Sequence, residues 1–442
     1  MMNCGVVGFW CEFFENVNVL FGWKFIMPFI YCNYLLYLPF IKGNTMERLM
    51  AKSIKKIENT SLDFKRFLFT HINWKRRLIG IKGARGTGKT TLLLQYIKEN
   101  FGISDEVLYV SLDNIYFTEH KLFDLADNFV KTGGKYLFLD EVHKYPNWSQ
   151  EIKNIYDDFP ELNVVFTGSS ILEIDKSEAD LSRRAVIYNL PVLSLREFIE
   201  IKYGIKSDVY SLIDIIENHT GIAGQIVKKI KPVKEFNNYN LYGAYPFFIE
   251  TGADYHDHLE RIINLILETD LPAFTPIGYH SIIKLKQLLL VISESVPFQP
   301  NISRLSNKIG TTRDTVIKYL HYLEKAQLIS LLRSNTKGIS KMAKPEKIYL
   351  NNSNLLYTLQ SERTNQGTIR ETFFFNQLSV KHTIEMPPKG DFIVDNKYVF
   401  EIGGKSKTKR QIIDLTDAYV VSDNIEYGFK HKIPLWLFGF LY

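Results

Sequence analysis

Short apolar runs recur through the first half of this chain. Leu78–Ile81, Val107–Leu112, Tyr136–Leu139, Val164–Gly168 and Ala185–Leu190 are the length and composition of buried strands. Thr91–Asn100 reads as a helix, and Phe101-Gly102 stops it. From Leu193 to about Phe274 the pattern becomes mostly helical; Ser194 and Glu197 are spaced as a capping box, and Gly243–Phe247 breaks the run as a turn. Ser281–Ser293 is an apolar-rich helix. Ile302, Leu305 and Ile309 space a short helix that Gly310 turns, and Thr311–Thr315 starts another with Val316, Leu320 and Leu323 as its stripe. Leu328–Leu332 and Ile348–Leu350 predict two strands. Gly390–Val394 and Lys397–Glu401 predict a hairpin turning at Asp395-Asn396.

Between the first strand and first helix lies Gly83-Ala84-Arg85-Gly86-Thr87-Gly88-Lys89-Thr90, followed by Thr91. Strand, glycine loop and helix in this order form a phosphate-binding loop, in which curled backbone N–H groups face phosphate oxygens. Lys89 is placed to reach the β- and γ-phosphates and Thr90 to ligate Mg²⁺. The plain alternative, a glycine-rich turn that binds nothing, does not require that order. Asp140 and Glu141 end the run Tyr136–Leu139, at the strand edge where open α/β sheets bind ligands. Asp140 is the candidate for holding Mg²⁺ and Glu141 for polarising a water, which makes hydrolysis the expectation. Thr167 and Ser169, at the tip of another strand, are candidates for sensing the γ-phosphate, against an ordinary strand-to-turn junction. Within Asp180-Leu181-Ser182-Arg183-Arg184, Arg184 is the candidate for neutralising transition-state charge, in cis or from a neighbouring subunit; a solvated surface arginine fits the spacing equally.

Composition adds bounds. The chain has 442 residues, 45% apolar and 23% charged, an ordinary globular balance with room for two to four domains. A net charge of +6 permits contact with nucleic acid without demanding it. The three cysteines, Cys4, Cys11 and Cys32, all precede residue 33, so the rest of the chain has neither a disulfide framework nor a cysteine zinc site, in keeping with a reducing cytoplasm. Residues 1–45 are an apolar extension. Phe25–Ile41 carries no charge but is broken by Pro28 and Pro39, which leaves two readings, a membrane anchor or translated sequence upstream of a start at Met46.

The expected fold class is α/β. Residues 46–200 would be a P-loop NTPase domain built on a parallel sheet, and 201–280 a helical lid. Residues 281–350 would be a winged helix-turn-helix, and 351–442 a small nuclease-like α/β domain. Thr312, Arg313, Thr315 and Lys318 would face a DNA groove, and Arg333, Lys337, Lys341, Lys344 and Lys347 would form a basic wing. A winged helix that packs on protein fits as well. In the last segment Glu371, Asp391 and Glu401 with Lys405 suggest a Mg²⁺-dependent nuclease core. The run Glu401-Ile402-Gly403-Gly404-Lys405 puts the lysine two positions late for the E-x-K pattern, so an inert domain of that shape is the other reading.

The order of these parts over residues 46–442 resembles a large prokaryotic family of AAA+-like ATPases with a C-terminal winged-helix and restriction-nuclease-like region. The resemblance is carried by Gly83–Thr91, Leu139-Asp140-Glu141-Val142-His143, Thr167-Gly168-Ser169-Ser170 and Leu193-Ser194-Leu195-Arg196-Glu197-Phe198. Glu401–Lys405 and Pro434-Leu435-Trp436-Leu437-Phe438-Gly439 carry it at the far end. It implies ATP with Mg²⁺ as cofactors, hydrolysis in the cytoplasm, and DNA, a protein or further copies of the chain as partners.

Overall fold

In the computed structural model the N-terminal part of the described chain is built on five parallel strands. They are β1 (Leu78–Lys82), β2 (Val107–Ser111), β3 (Tyr136–Asp140), β4 (Asn163–Gly168) and β5 (Val186–Asn189), in the spatial order β2-β3-β4-β1-β5. The described residues are 45–168, 181, 183–275, 277–294, 300–334, 345–360 and 365–442. Residues 1–44 of the apolar extension, Ser169, Ser170, Ser182 and wing lysines Lys337, Lys341 and Lys344 lie outside them. Among the described residues no helix is long and apolar enough to cross a membrane.

Helices cover both sheet faces, so strands β1–β4 are apolar and largely buried on both sides, as parallel sheets require, while the edge strand β5 stays partly exposed. Ile79, Ile81, Phe138 and Val165 pack with Leu92, Leu93 and Ile97 of helix α2 (Lys89–Asn100). Leu137, Leu139, Val164 and Phe166 alternate to the other face, where Trp148 lies with its ring centroid 5.5 Å from Phe166. Gly80 has no room for a side chain there, because a Cβ would come within 2.4 Å of Ile187 and 2.7 Å of Phe166. The insertion of β4 between β1 and β3 pairs Ile81 with Thr167 and carries the Thr167 hydroxyl up beside Asp140.

Before the sheet, helix α1 (Thr45–Glu58) contributes Ile57 to this core. On the other face run helices α3 (Leu122–Lys131) and α4 (Trp148–Asp158). After it come helices α5 (Leu195–Tyr203), α6 (Leu212–Val227), α7 (Pro232–Tyr242) and α8 (Tyr255–Leu265). The serines before α5 and α6 both close complete capping boxes, Ser194 with Glu197 and Ser211 with Asp214. The chain continues through α9 (Tyr279–Ser293), α10 (Ile302–Ile309), α11 (Arg313–Lys325), an antiparallel pair β6 (Ile329–Leu332) and β7 (Lys347–Leu350), α12 (Ser353–Leu359) and α13 (Gln366–Leu378). A mixed sheet closes it, ordered β12-β11-β10-β9-β8 from Lys432–Pro434, Ala418–Ser422, Tyr398–Gly403, Phe392–Val394 and Ile384–Glu385.

The cores do not follow chain order. One joins Tyr245, Tyr255 and Leu259 to Leu285, Leu305, Leu320 and Leu350. Another joins Leu195, Phe198, Ile215 and Tyr239 to Phe373, Phe400, Trp436 and Tyr442. Helices α5–α7 therefore bury their apolar faces against the C-terminal sheet, and Leu49–Tyr442 form one compact unit.

Candidate functional site

The glycine loop connects β1 to the N-terminus of α2, where the first N–H groups of a helix have no partners within it. Gly86 and Gly88 have φ of +82° and +91°, which a side chain would strain. At Gly83 a Cβ would come within 2.3 Å of the Leu190 carbonyl oxygen. Lys89 is buried, and its Nζ donates to the carbonyls of Gly83 (3.0 Å) and Ala84 (2.9 Å). Burial lowers the ammonium's pKa, while Glu141 and Asp140 oppose that shift. Thr87 Oγ1 donates to Ala84 O at 2.9 Å, and Thr91 lines the cleft.

Asp140 is buried and saturated with donors. Oδ2 accepts from Thr90 Oγ1 at 2.7 Å and from the Tyr109 hydroxyl at 2.8 Å. Oδ1 accepts from Thr167 Oγ1 and, at 3.2 Å, from the backbone N–H of Glu141. Glu141 holds φ of +54°, a left-handed conformation that costs a residue with a side chain of order 1–3 kcal/mol and is concentrated at functional sites. Burial raises its carboxyl pKa, with Lys89 pulling the other way. The cleft over this edge has a volume of about 1210 Å³. Asn59–Ser61 and Phe64 form one wall, the glycine loop the floor, and Phe247, His258, Arg261 and Ile262 the opposite wall.

The loop is anchored from behind by a buried ion pair. Arg66 donates to Glu197 Oε1 (3.0 Å), Thr87 O (2.5 Å), Pro191 O (2.8 Å) and Val192 O (3.1 Å). Glu197 Oε1 also accepts from Phe67 N–H, and Oε2 accepts from Ser194 N–H. The Ser194–Glu197 spacing thus serves a second purpose beyond capping α5.

Lys89, Thr90, Asp140, Glu141 and Thr167 converge, but Arg184 does not join them. It precedes β5, whose Val186 pairs with Ile79 near the start of β1, so it sits at the sheet edge opposite the glycine loop. There it makes a two-pronged pair with Asp157, at 2.9 and 2.8 Å. An arginine before a parallel strand lies at the edge away from the ligand, which rules out a cis role for it in this geometry. Tyr109, Asp270 and Arg66 were missed by sequence reasoning. Tyr109 is one of a run of apolar strand residues, and Asp270 lies 126 positions from its partner Lys144. Replacing Tyr109 by phenylalanine should cost about 1.5–3 kcal/mol, the worth of a hydrogen bond to a charged acceptor, read as a lower urea midpoint with unchanged slope.

The C-terminal carboxylates do not gather as a metal set. Lys347 Nζ lies 3.3 Å from Glu371 Oε2 and 3.8 Å from Asp391 Oδ1, placing an ammonium between them. Glu371 also accepts from the Tyr349 hydroxyl, and Asp391 from Ile402 N–H. Glu401 is buried against Lys407, while Lys405 is exposed. Among the described residues no group of three or more acidic, histidine or cysteine side chains could hold a metal ion. The expected basic wing is also inward-facing where it is described: Arg333 pairs with Glu324 and Lys347 with Glu371.

Residues 75–199 match the family described as AAA domain, and residues 233–366 a domain of unknown function, DUF8612. Uncharacterized protein MJ1637 of Methanocaldococcus jannaschii is 24% identical over 392 residues, covering 82% of each chain. Similar solved structures include AMPPCP-bound DnaA from Aquifex aeolicus, with 15% identity, 64% of this chain and 90% of that chain covered, and a TM-score of 0.24. Saccharomyces cerevisiae RIF2 has 12% identity, 50% and 91% covered, and a TM-score of 0.28. Residues 75–199, which match the AAA domain, thus fold as a mixed α/β unit with a five-stranded parallel sheet and a glycine loop, consistent with a P-loop core.

Proposed function

We propose that this chain binds ATP with Mg²⁺ and hydrolyses it, as a switch or motor whose C-terminal half engages DNA or protein. The observation that carries the reading is the convergence of Lys89, Thr90, Asp140 and Glu141 on one edge of the sheet, beneath a cleft large enough for a nucleoside triphosphate. The donor set suits the metal. Mg²⁺ is commonly held by one or two protein oxygens plus waters and phosphates, and the Thr90 hydroxyl and Asp140 carboxylate lie 2.7 Å apart. Bound there, Mg²⁺ would supply charge neutralisation on the phosphates.

The chain's own residues do the rest. Backbone N–H groups of Gly86–Thr90 and the α2 N-terminus would receive phosphate oxygens. Lys89, now turned onto loop carbonyls, would exchange them for phosphate. Thr90 and Asp140 would hold the metal. Glu141, at the cleft floor, would accept the proton of the attacking water, and Thr167, bonded to Asp140, would keep that carboxylate oriented. Arg261 lines the same cleft and offers a cation within the chain. Arg184 would act only on a neighbouring copy, as an oligomer in the cytoplasm would permit.

A DNA-binding reading of the second half is favoured by α10, the Gly310 turn, α11 and the β6–β7 hairpin, the element order of a winged helix. Thr312 caps α11 and bonds Thr315, so the face left for a groove starts at Arg313. The nuclease-like reading of residues 351–442 rests on the mixed sheet and α13, without a catalytic metal set.

The test is ATP hydrolysis by the full chain with Mg²⁺, across protein concentrations and with or without duplex DNA, beside Lys89→Ala. The variant should bind ATP at least about 10-fold more weakly, the worth of one charge-assisted hydrogen bond. Equal turnover in both proteins would overturn the enzyme reading, and turnover indifferent to DNA would leave protein as the partner. A rate per chain independent of concentration would remove Arg184 from the mechanism.

A further inference from the structure

Glu141 needs something other than its own strand to aim it. It follows β3 in a left-handed conformation, so strand geometry no longer dictates where its carboxylate points. His143 Nε2 lies 3.4 Å from Glu141 Oε2. The His143 side chain is fully buried, so it has no solvent to withdraw into. Asp270 Oδ1 lies 3.9 Å from the same Nε2, beyond hydrogen-bond reach, so both carboxylates face one ring nitrogen.

Asp270 comes from the other side of the cleft. It ends a single π-helical turn, Ile266–Asp270, that follows α8. Such turns shift helical register by one residue and are frequent at functional sites. Asp270 is only 4% exposed. It accepts from Lys144 Nζ at 2.8 Å and from Arg85 Nη1 at 3.2 Å to each oxygen. Two cations therefore fix one carboxylate, one reaching from the glycine loop and the other from the turn after β3.

We propose that His143 and Asp270 are positioning residues for Glu141: Asp270, pinned by Arg85 and Lys144, and Glu141 face the same His143 nitrogen, so the fixed Asp270 charge orients the imidazole and the Nε2 edge of that imidazole aims the Glu141 carboxylate toward the cleft. The inference rests on Glu141 being the base of an ATPase. It also makes the placement of that base conditional on where the Ile266–Asp270 turn sits. The site is then complete only when the α8 wall is docked against the loop.

The test compares His143→Ala, His143→Gln, Asp270→Asn and the double variant His143→Ala with Asp270→Asn in the full chain, each also on a Glu141→Gln background. Multiple-turnover kcat, equilibrium affinity for ATP and thermal midpoint are measured for all. His143→Ala and Asp270→Asn should each lower kcat by about 10- to 100-fold, the penalty for misplacing a catalytic group by about 1 Å. His143→Ala should leave ATP affinity within about twofold, and His143→Gln, which keeps an amide donor at that depth, should recover part of the rate. Together the two substitutions should cost no more than the worse one alone. On Glu141→Gln neither should slow the residual reaction further, because nothing remains to be aimed.

The same fold-loss on the Glu141→Gln background would overturn the proposal, since a purely structural role would persist there. So would kcat within twofold of the parent in both variants. A parent chain no faster than Lys89→Ala would overturn the ATPase reading as well, and that outcome is distinct from the other two.

Discussion

Replacing Glu141 by glutamine is expected to lower ATP turnover by about 10²–10⁴-fold, the usual worth of a general base, while ATP affinity stays within a few-fold. Glutamine keeps the shape and the hydrogen-bonding reach of the side chain, so the cleft, the Lys89 anchor and the Thr90–Asp140 pair should be undisturbed. What disappears is the ability to take a proton. A second consequence follows from burial, which raises the Glu141 pKa in the folded chain. A carboxyl with a raised folded-state pKa favours folding in its protonated form, and that contribution is lost as pH rises through the folded pKa. At neutral pH the ionised group is therefore a cost to the fold that glutamine does not carry. The variant should melt at a higher temperature than the parent while turning over far more slowly, the trade between stability and activity expected of a strained site. Single-turnover hydrolysis and a thermal scan on one preparation check both. An unchanged rate would remove Glu141 from the mechanism, and a fall in melting temperature would contradict the electrostatic account of the site.

Glu197→Ala is expected to destabilise the fold by about 3–5 kcal/mol, because it strands a buried arginine. Glu197 is fully buried and accepts from three donors, Arg66 Nε, Phe67 N–H and Ser194 N–H. Alanine would leave all three without that oxygen. Arg66 would keep the carbonyls of Thr87, Pro191 and Val192, but those carry no full charge to balance the guanidinium. Because Arg66 Nη1 holds the Thr87 carbonyl, loosening it should also slacken the glycine loop, so ATP affinity should fall together with the urea midpoint. A loss below about 1 kcal/mol would mean the pair has the worth of a surface ion pair and that the loop stands without it.

The parts of this site that were readable from the sequence are those whose chemistry is contiguous. The glycine loop is local because one stretch of backbone must surround the phosphates, and Asp140-Glu141 is local because the end of one strand presents both carboxylates. Ser194 and Glu197 were readable as a cap for the same reason; that Glu197 also meets Arg66, 131 positions earlier, was not. Tyr109 looks like any β-rich core residue until β2 lies beside β3 and brings its hydroxyl to Asp140. Asp270 carries no sequence signal, since its partners converge only when α8 folds over the loop. Between the cis and trans roles open to Arg184, spacing could not choose, because its distance from the glycine loop is set by strand direction: a parallel strand begins at the opposite edge of the sheet. In the C-terminal half the helices, the hairpin and the Asp395-Asn396 turn are legible from periodicity and turn chemistry. The ion pairs that turn Lys347 and Arg333 inward depend on tertiary contacts, and spacing does not report those.

The shared core of α5–α7 with the C-terminal sheet has a consequence for the order in which this protein is made. Gly439 lets the last turn press on Leu195, since a Cβ there would come within 2.5 Å of the Leu195 Cβ. Ser194 Oγ donates to a main-chain oxygen of Tyr442, 248 positions later. At the usual ribosomal pace of about 5–20 residues per second, that interval lasts roughly 12–50 s. By its start the last strand of the parallel sheet has been made, whereas Leu195 and Phe198, then Ile215 and Phe236, are made well before the C-terminal residues that share their core. The apolar helical face is therefore made long before the surface that covers it, and aggregation in that interval is the hazard this topology creates.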